Sequence, residues 1–127
     1  MDSNSAEATL DQAPLWVGAA DYVAQDPYPC YQNARCDFGW IDAVIAAADH
    51  AGLPYWGVVQ AFEDEEWRWP TPSEERHMFC QWARSREWGY VVFSWTRAGH
   101  TLTEEPRFLK VLRHFDRGSL RCPRGGD

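Results

Sequence analysis

The sequence predicts an α/β fold of parallel strands alternating with helices, about three β/α units long. Two apolar runs, residues 55–62 and 90–95, lack strict alternation, as strands buried on both faces do. A helix signal follows each run, and the same order precedes them from residue 21. Strand, helix, strand, helix, strand, helix implies parallel strands joined by right-handed crossovers.

Residues 1–20, rich in Ser, Ala, Asp and Glu, carry no sustained periodicity and read as a disordered or fragmentary segment. Residues 21–25 are a short extended run that Pro27 and Pro29 stop. Asp37 can cap a helix whose stripe is Ile41, Val44, Ile45 and Ala48, spaced i, i+3, i+4, i+7, and Gly52 and Pro54 end it. In the run 55–62, Gln60 is the only strongly polar side chain. After the acidic residues 63–66, Thr71-Pro72-Ser73-Glu74 makes a capping box with proline in the first turn. Met78, Phe79, Trp82 and Ala83 are that helix's apolar stripe. A loop with Gly99 follows the third strand, Thr103 or Glu105 caps the last helix, and Phe108, Leu109, Leu112 and Phe115 form its apolar face. Residues 21–117 are thus the folded unit, and 118–127, rich in Arg and Gly, read as a flexible tail.

Three parallel strands cannot close into a barrel and leave two bare edges. Strands this apolar need helices on one face and more protein on the other, so the chain reads as part of a larger barrel, or a remnant of one. The net charge of −7, from 19 acidic and 12 basic residues, argues against a nucleic-acid partner, which needs a basic face. No run approaches the ~20 apolar residues of a membrane span. The opening residues are no secretory signal, so the protein is cytosolic or the chain has lost its true N-terminus.

Cys30 and Cys36 flank a short polar loop, which suits a local disulfide if the protein is exported. Cys80, in a helical stretch, reads as a buried thiol, and Cys122 lies in the tail. Without a C-x-x-C pair or spaced histidines, no metal site is expected. Eight Trp suggest either core filling or flat platforms for a ring-shaped ligand. Trp56, Trp82 and Trp88 read as core, while Trp16 and Trp40 fit either use.

Asp26-Pro-Tyr-Pro after a strand, Trp56-Gly-Val-Val-Gln-Ala-Phe62, Trp67-Arg-Trp-Pro-Thr-Pro-Ser-Glu74 and Tyr90-Val-Val-Phe-Ser-Trp95 stand in that order. Together they resemble the C-terminal part of glycoside-hydrolase-type (β/α)8 barrels, the TIM-barrel fold, over residues 20–116. The resemblance implies a partial TIM barrel holding strands six to eight. The Cys30/Cys36 loop looks like that of secreted, actinobacterial-type members, where a disulfide is natural and the full-length form is extracellular.

Such barrels carry their active site at the C-terminal ends of the strands. There the resemblance sets Asp26 and Tyr28, Gln60 and Phe62, and Trp95, with Trp67 and Arg68 in a loop over the same mouth. Glycoside hydrolysis generally needs two carboxyl groups. The strand-seven position that would hold the nucleophile falls on Gln60, whose amide cannot ionise. Asp26 is the best remaining catalytic carboxylate, or else a turn residue accepting backbone N–H bonds. Trp67, Trp69 and Trp95 are candidates to stack on sugar rings, and Tyr28, Gln60, Phe62 and Arg68 to contact the ligand. The implied activity is the C-terminal portion of a carbohydrate-active enzyme, inactive alone; the alternative is a non-catalytic carbohydrate-binding or interaction module. The implied partners are a carbohydrate and either the missing barrel half or a second copy, with no cofactor.

Overall fold

Three short parallel strands run through the centre of the computed structural model: β1 (Val23–Gln25), β2 (Tyr55–Gln60) and β3 (Tyr90–Phe93), in the order β1-β2-β3. The structure describes residues 5–123. Helix α1 (Ala6–Gln12) precedes β1, α2 (Phe38–Ala51) joins β1 to β2, α3 (Pro72–Ala83) joins β2 to β3, and α4 (Pro106–Asp116) follows. The expected alternation of strand and helix is therefore present, as a mixed α/β fold with a parallel sheet.

Side chains alternate across a strand, and the register divides the sheet into two unlike faces. Tyr55 and Val59 point one way and join Ile41 and Ala48 of α2, Met78, Phe79 and Trp82 of α3, and Val111 of α4 in one buried cluster. The two crossover helices, α2 and α3, thus lie on one face together with α4. The close approach of α3 depends on Gly57, where an added Cβ would run into the Trp82 ring. The opposite face holds Trp56, Val58 and Gln60 of β2 with Val91 and Phe93 of β3 paired beside Val58 and Gln60. No helix covers it. Val91 is 45 % exposed and Phe93 36 %, and Tyr22, ahead of β1, is 52 % exposed with its ring 5.8 Å from Trp56.

Helix α3 starts as its sequence dictates. Thr71 Oγ1 accepts from the Glu74 N–H at 3.2 Å, and Glu74 Oε1 accepts from the Thr71 N–H at 2.8 Å, with Pro72 in the first turn. Helix α2 ends at Gly52, whose φ of 74° is the left-handed cap that glycine tolerates best. Asp37 occupies its N-cap position without a side-chain capping bond.

Five expectations are corrected. Before residue 20 the chain forms α1, capped by Ser5, whose Oγ accepts from the Ala8 N–H at 3.1 Å, with Thr9 fully buried beside Gln25. Seven helical residues are too few to show a period in the sequence. Residues 1–4 and 124–127 lie outside the described residues. The third strand stops at Phe93, and the tight hairpin β4 (Thr96–Arg97) and β5 (His100–Thr101) follows. Ala98 and Gly99 both have positive φ, 51° and 81°, the turn that matches strand twist. Cys80 is not a thiol. It is bonded to Cys122, so the tail is tied to α3 as far as that residue. Trp88 is 66 % exposed and not core, because it follows α3 on the loop to β3. The Cys30–Cys36 pair, in contrast, needs no correction: the two residues form the expected local disulfide.

Candidate functional site

The C-terminal ends of the three strands converge on a cluster of four rings. Tyr28 follows β1, Phe62 and Trp67 follow β2, and Phe93 ends β3. Tyr28 meets Phe62 edge-on at 5.0 Å, Phe62 meets Phe93 edge-on at 5.4 Å and Trp67 at 5.6 Å, and Tyr28 lies 5.9 Å from Trp67. These separations suit aromatic pairs. Burial, and next the charge of Asp26, push the Tyr28 phenol up to about 12 against the opposing pull of Arg97.

Arg97, on β4, closes the cluster from above. Its guanidinium carbon is 5.0 Å from the Phe62 ring centre and 5.7 Å from that of Phe93. Its Nε and Nη2 donate to Asp64 Oδ2 at 3.0 and 2.8 Å. Asp64 Oδ1 accepts from the backbone N–H groups of Glu66 and Trp67 at 2.9 and 3.0 Å. Burial pushes the Asp64 carboxyl up, but the Trp67 and Glu66 N–H groups and Arg97 outweigh it and hold the carboxyl below its ordinary value. The acidic loop is therefore folded around one anion. Beside it opens a cleft of about 630 Å³, walled by Glu63, Asp64, Glu65, Glu66 and Trp67 and by Arg97 and His100 of the hairpin.

Beneath the rings, Gln60 joins two loops. Its Oε1 accepts from the Cys30 N–H at 3.0 Å, and its Nε2 donates to the carbonyls of Cys30 and Arg68 at 3.1 and 2.8 Å. Arg68 pairs with Glu74 through both terminal nitrogens at 2.9 Å and donates from Nε to the Ala34 carbonyl at 3.1 Å. The hydrogen bond from Arg68 does most to hold the Glu74 carboxyl down to about 2. Glu74 Oε2 also lies 2.8 Å from Cys36 Sγ. Cys30, Cys36 and Glu74 offer ligand atoms within 4.8 Å of one another, but the sulfurs are bonded together and the carboxylate is taken by Arg68.

Of the residues singled out from sequence, Tyr28, Phe62 and Trp67 come together. Asp26, half-buried, is near enough to act on the Tyr28 phenol. Gln60 is fully buried with its amide occupied, and Arg68 braces the Cys30–Cys36 loop. Neither reaches the cleft lining. Trp95 is 59 % exposed and enters no ring pair among the described residues. Trp69 packs edge-on against Phe108 of α4 at 5.6 Å. Phe93 and Arg97 were missed. The parity of Val91 and Phe93 could have suggested Phe93, but nothing in the sequence joins Arg97 to Asp64 across 33 residues.

Comparison with protein-family models, with curated proteins and with solved structures gives no match.

Proposed function

We propose that this chain is the last three β/α units of a glycosidase-type barrel, and that its aromatic mouth binds a carbohydrate without cleaving it unaided. The observation that carries the reading is the Tyr28–Phe62–Trp67–Phe93 cluster beside an open cleft at the C-terminal ends of the strands. The apolar C–H face of a sugar ring packs on indole or phenyl, while carboxylates beside it accept hydrogen bonds from the hydroxyls. Glu63, Glu65 and Glu66 are such acceptors. Sequential strand order, with the crossover helices on one face and the other face left apolar and bare, supports the barrel part. Hydrolysis needs an acid and a second carboxylate. The buried amide of Gln60 serves as neither, so this position supplies no catalytic carboxylate and the chain alone is expected to turn nothing over.

The test is affinity electrophoresis through gels containing soluble β-glucan, xylan or glucomannan, with tryptophan fluorescence titration of whichever retards the protein. Trp67→Ala is expected to weaken binding about tenfold, a loss of ~1.4 kcal/mol, with the far-UV spectrum kept and no reducing ends released. Absence of retardation by every polysaccharide, or unchanged affinity in Trp67→Ala, overturns the reading. The occupied amide of Gln60 also favours a self-standing binding module. That alternative predicts the same retardation from a compact monomer with a strong near-UV signal.

A further inference from the structure

Helix α4 carries a second charged surface, away from the mouth and opposite in sign. From Arg107 to Arg121 stand five of the chain's 12 Lys and Arg residues and one acid, Asp116. The two ion pairs among the described residues, Arg68–Glu74 and Arg97–Asp64, use none of these five cations. Asp116 Oδ1 accepts from the Tyr90 hydroxyl at 2.9 Å. Phe108 and Val111 are buried, and Leu112 and Phe115 pack against the core. Helical spacing therefore turns Arg107, Lys110, Arg113 and Arg117 outward together.

The helix dipole explains only part of this row. Cations are favourable in the last turn, where Arg113 and His114 stand, and unfavourable in the first, where Arg107 stands. The surface is also fixed in shape. Gly118, at φ 68°, turns the chain back, and the Ser119 and Leu120 N–H groups donate to the His114 carbonyl at 2.8 and 3.0 Å. Leu120 packs on the core, and Cys122 is bonded to Cys80. A groove of about 190 Å³ results, lined by Lys110, Arg113, His114, Arg117 and Ser119.

We infer that this groove and the cationic row beside it are a docking surface for an anionic polysaccharide. Charge complementarity selects an anion, since four unpaired like charges on one face repel one another until a counter-charge arrives. A lipid surface would be held by charge alone, because the apolar side of α4 is spent on the core and cannot insert as that of an interfacial helix does. Nucleic acid is disfavoured because two disulfides mark a chain that matures in an oxidising compartment. The inference stands apart from the reading of the mouth, since it uses none of the same residues.

The probes are polygalacturonate and heparin, with neutral dextran, anionic phosphatidylglycerol vesicles and duplex DNA as comparisons. The full chain is expected to bind at least one of the two polyanionic glycans and not dextran. For three engaged cations, counterion release predicts a loss of about 20-fold in affinity between roughly 50 and 200 mM salt. Lys110→Gln/Arg113→Gln/Arg117→Gln is expected to abolish binding with an unchanged near-UV spectrum, while Arg113→Lys/Arg117→Lys keeps it. Failure to bind either glycan at low salt overturns the inference. So does undiminished binding by the triple variant, or vesicles or DNA binding more tightly than both glycans. Trp67→Ala must leave this binding intact, which separates its failure from that of the mouth.

Discussion

The amide of Gln60 is used in both directions, its oxygen accepting from the Cys30 N–H and both its N–H groups donating, to the Cys30 and Arg68 carbonyls. A carboxylate of the same size keeps the first bond and loses both others, turning two donors into repelling lone pairs. Gln60→Glu is therefore expected to cost about 2–4 kcal/mol in urea denaturation; a loss below ~1 kcal/mol would show that the two loops hold without it. The sequence marks Gln60 as the odd polar residue of an apolar strand but not its partners, which are backbone atoms of other loops. Glu75 poses the opposite problem. It is wholly buried on the inner side of α3, with no protein partner for either oxygen among the described residues. Burial pushes its carboxyl from 4.5 to about 10. Between those values the native chain keeps a proton that the unfolded chain has lost, so stability falls as pH rises, by up to ~1.4 kcal/mol per pH unit. Glu74 acts in the other window: with its carboxyl held down to about 2, the stability it supplies is present above the ordinary value and lost as pH falls through that range. Unfolding midpoints are thus expected to be highest near about pH 5 and to decline toward pH 8, and Glu75→Gln is expected to flatten that decline. An unaltered decline in the variant would mean that another group is responsible.

Helix α3 is the element on which the others lean. Its start was readable because a capping box is local, with both partners within four residues. Its inner stripe was readable from Met78, Phe79 and Trp82. Its tie to the C-terminal tail was not, because two cysteines 42 residues apart carry no spacing signal. The assignment of Trp88 to the core failed for a related reason: residue type sets a preference for burial, and only the path of the loop between α3 and β3 decides it. The Cys80–Cys122 bond closes a loop that contains β3, the hairpin and α4. Loop-closure entropy assigns such a crosslink about 4 kcal/mol. Cys80→Ser/Cys122→Ser is expected to lose stability of that order and to speed amide exchange in β3 and α4 more than in α2. Equal acceleration everywhere would mean that the bond stabilises the whole fold evenly and does not hold the last unit in particular.

At the scale of the whole molecule, strand order decides what must be exposed. Parallel strands joined in sequence by crossovers of one hand send every connecting helix to the same side. The fold class and the number of units were legible for that reason, since they follow from the repeated order of apolar run and helix signal. Which face stays bare was legible only as a need for more protein. The register adds the residues: Tyr22, Val91 and Phe93 with half-buried Trp56, flanked by the open edges of β1 and β3. An apolar sheet face between two unpaired edges favours association. The isolated chain is therefore expected to bind anilinonaphthalene sulfonate and to gain mass with concentration in light scattering. Val91→Lys puts a charge on that face beside an open edge, remote from the cluster that holds the helices. It is expected to reduce both signals while leaving Tm within a few degrees. A chain that stays monomeric at high concentration, binds no dye and is unaffected by Val91→Lys would mean that this face needs no cover, and the molecule is complete with three strands.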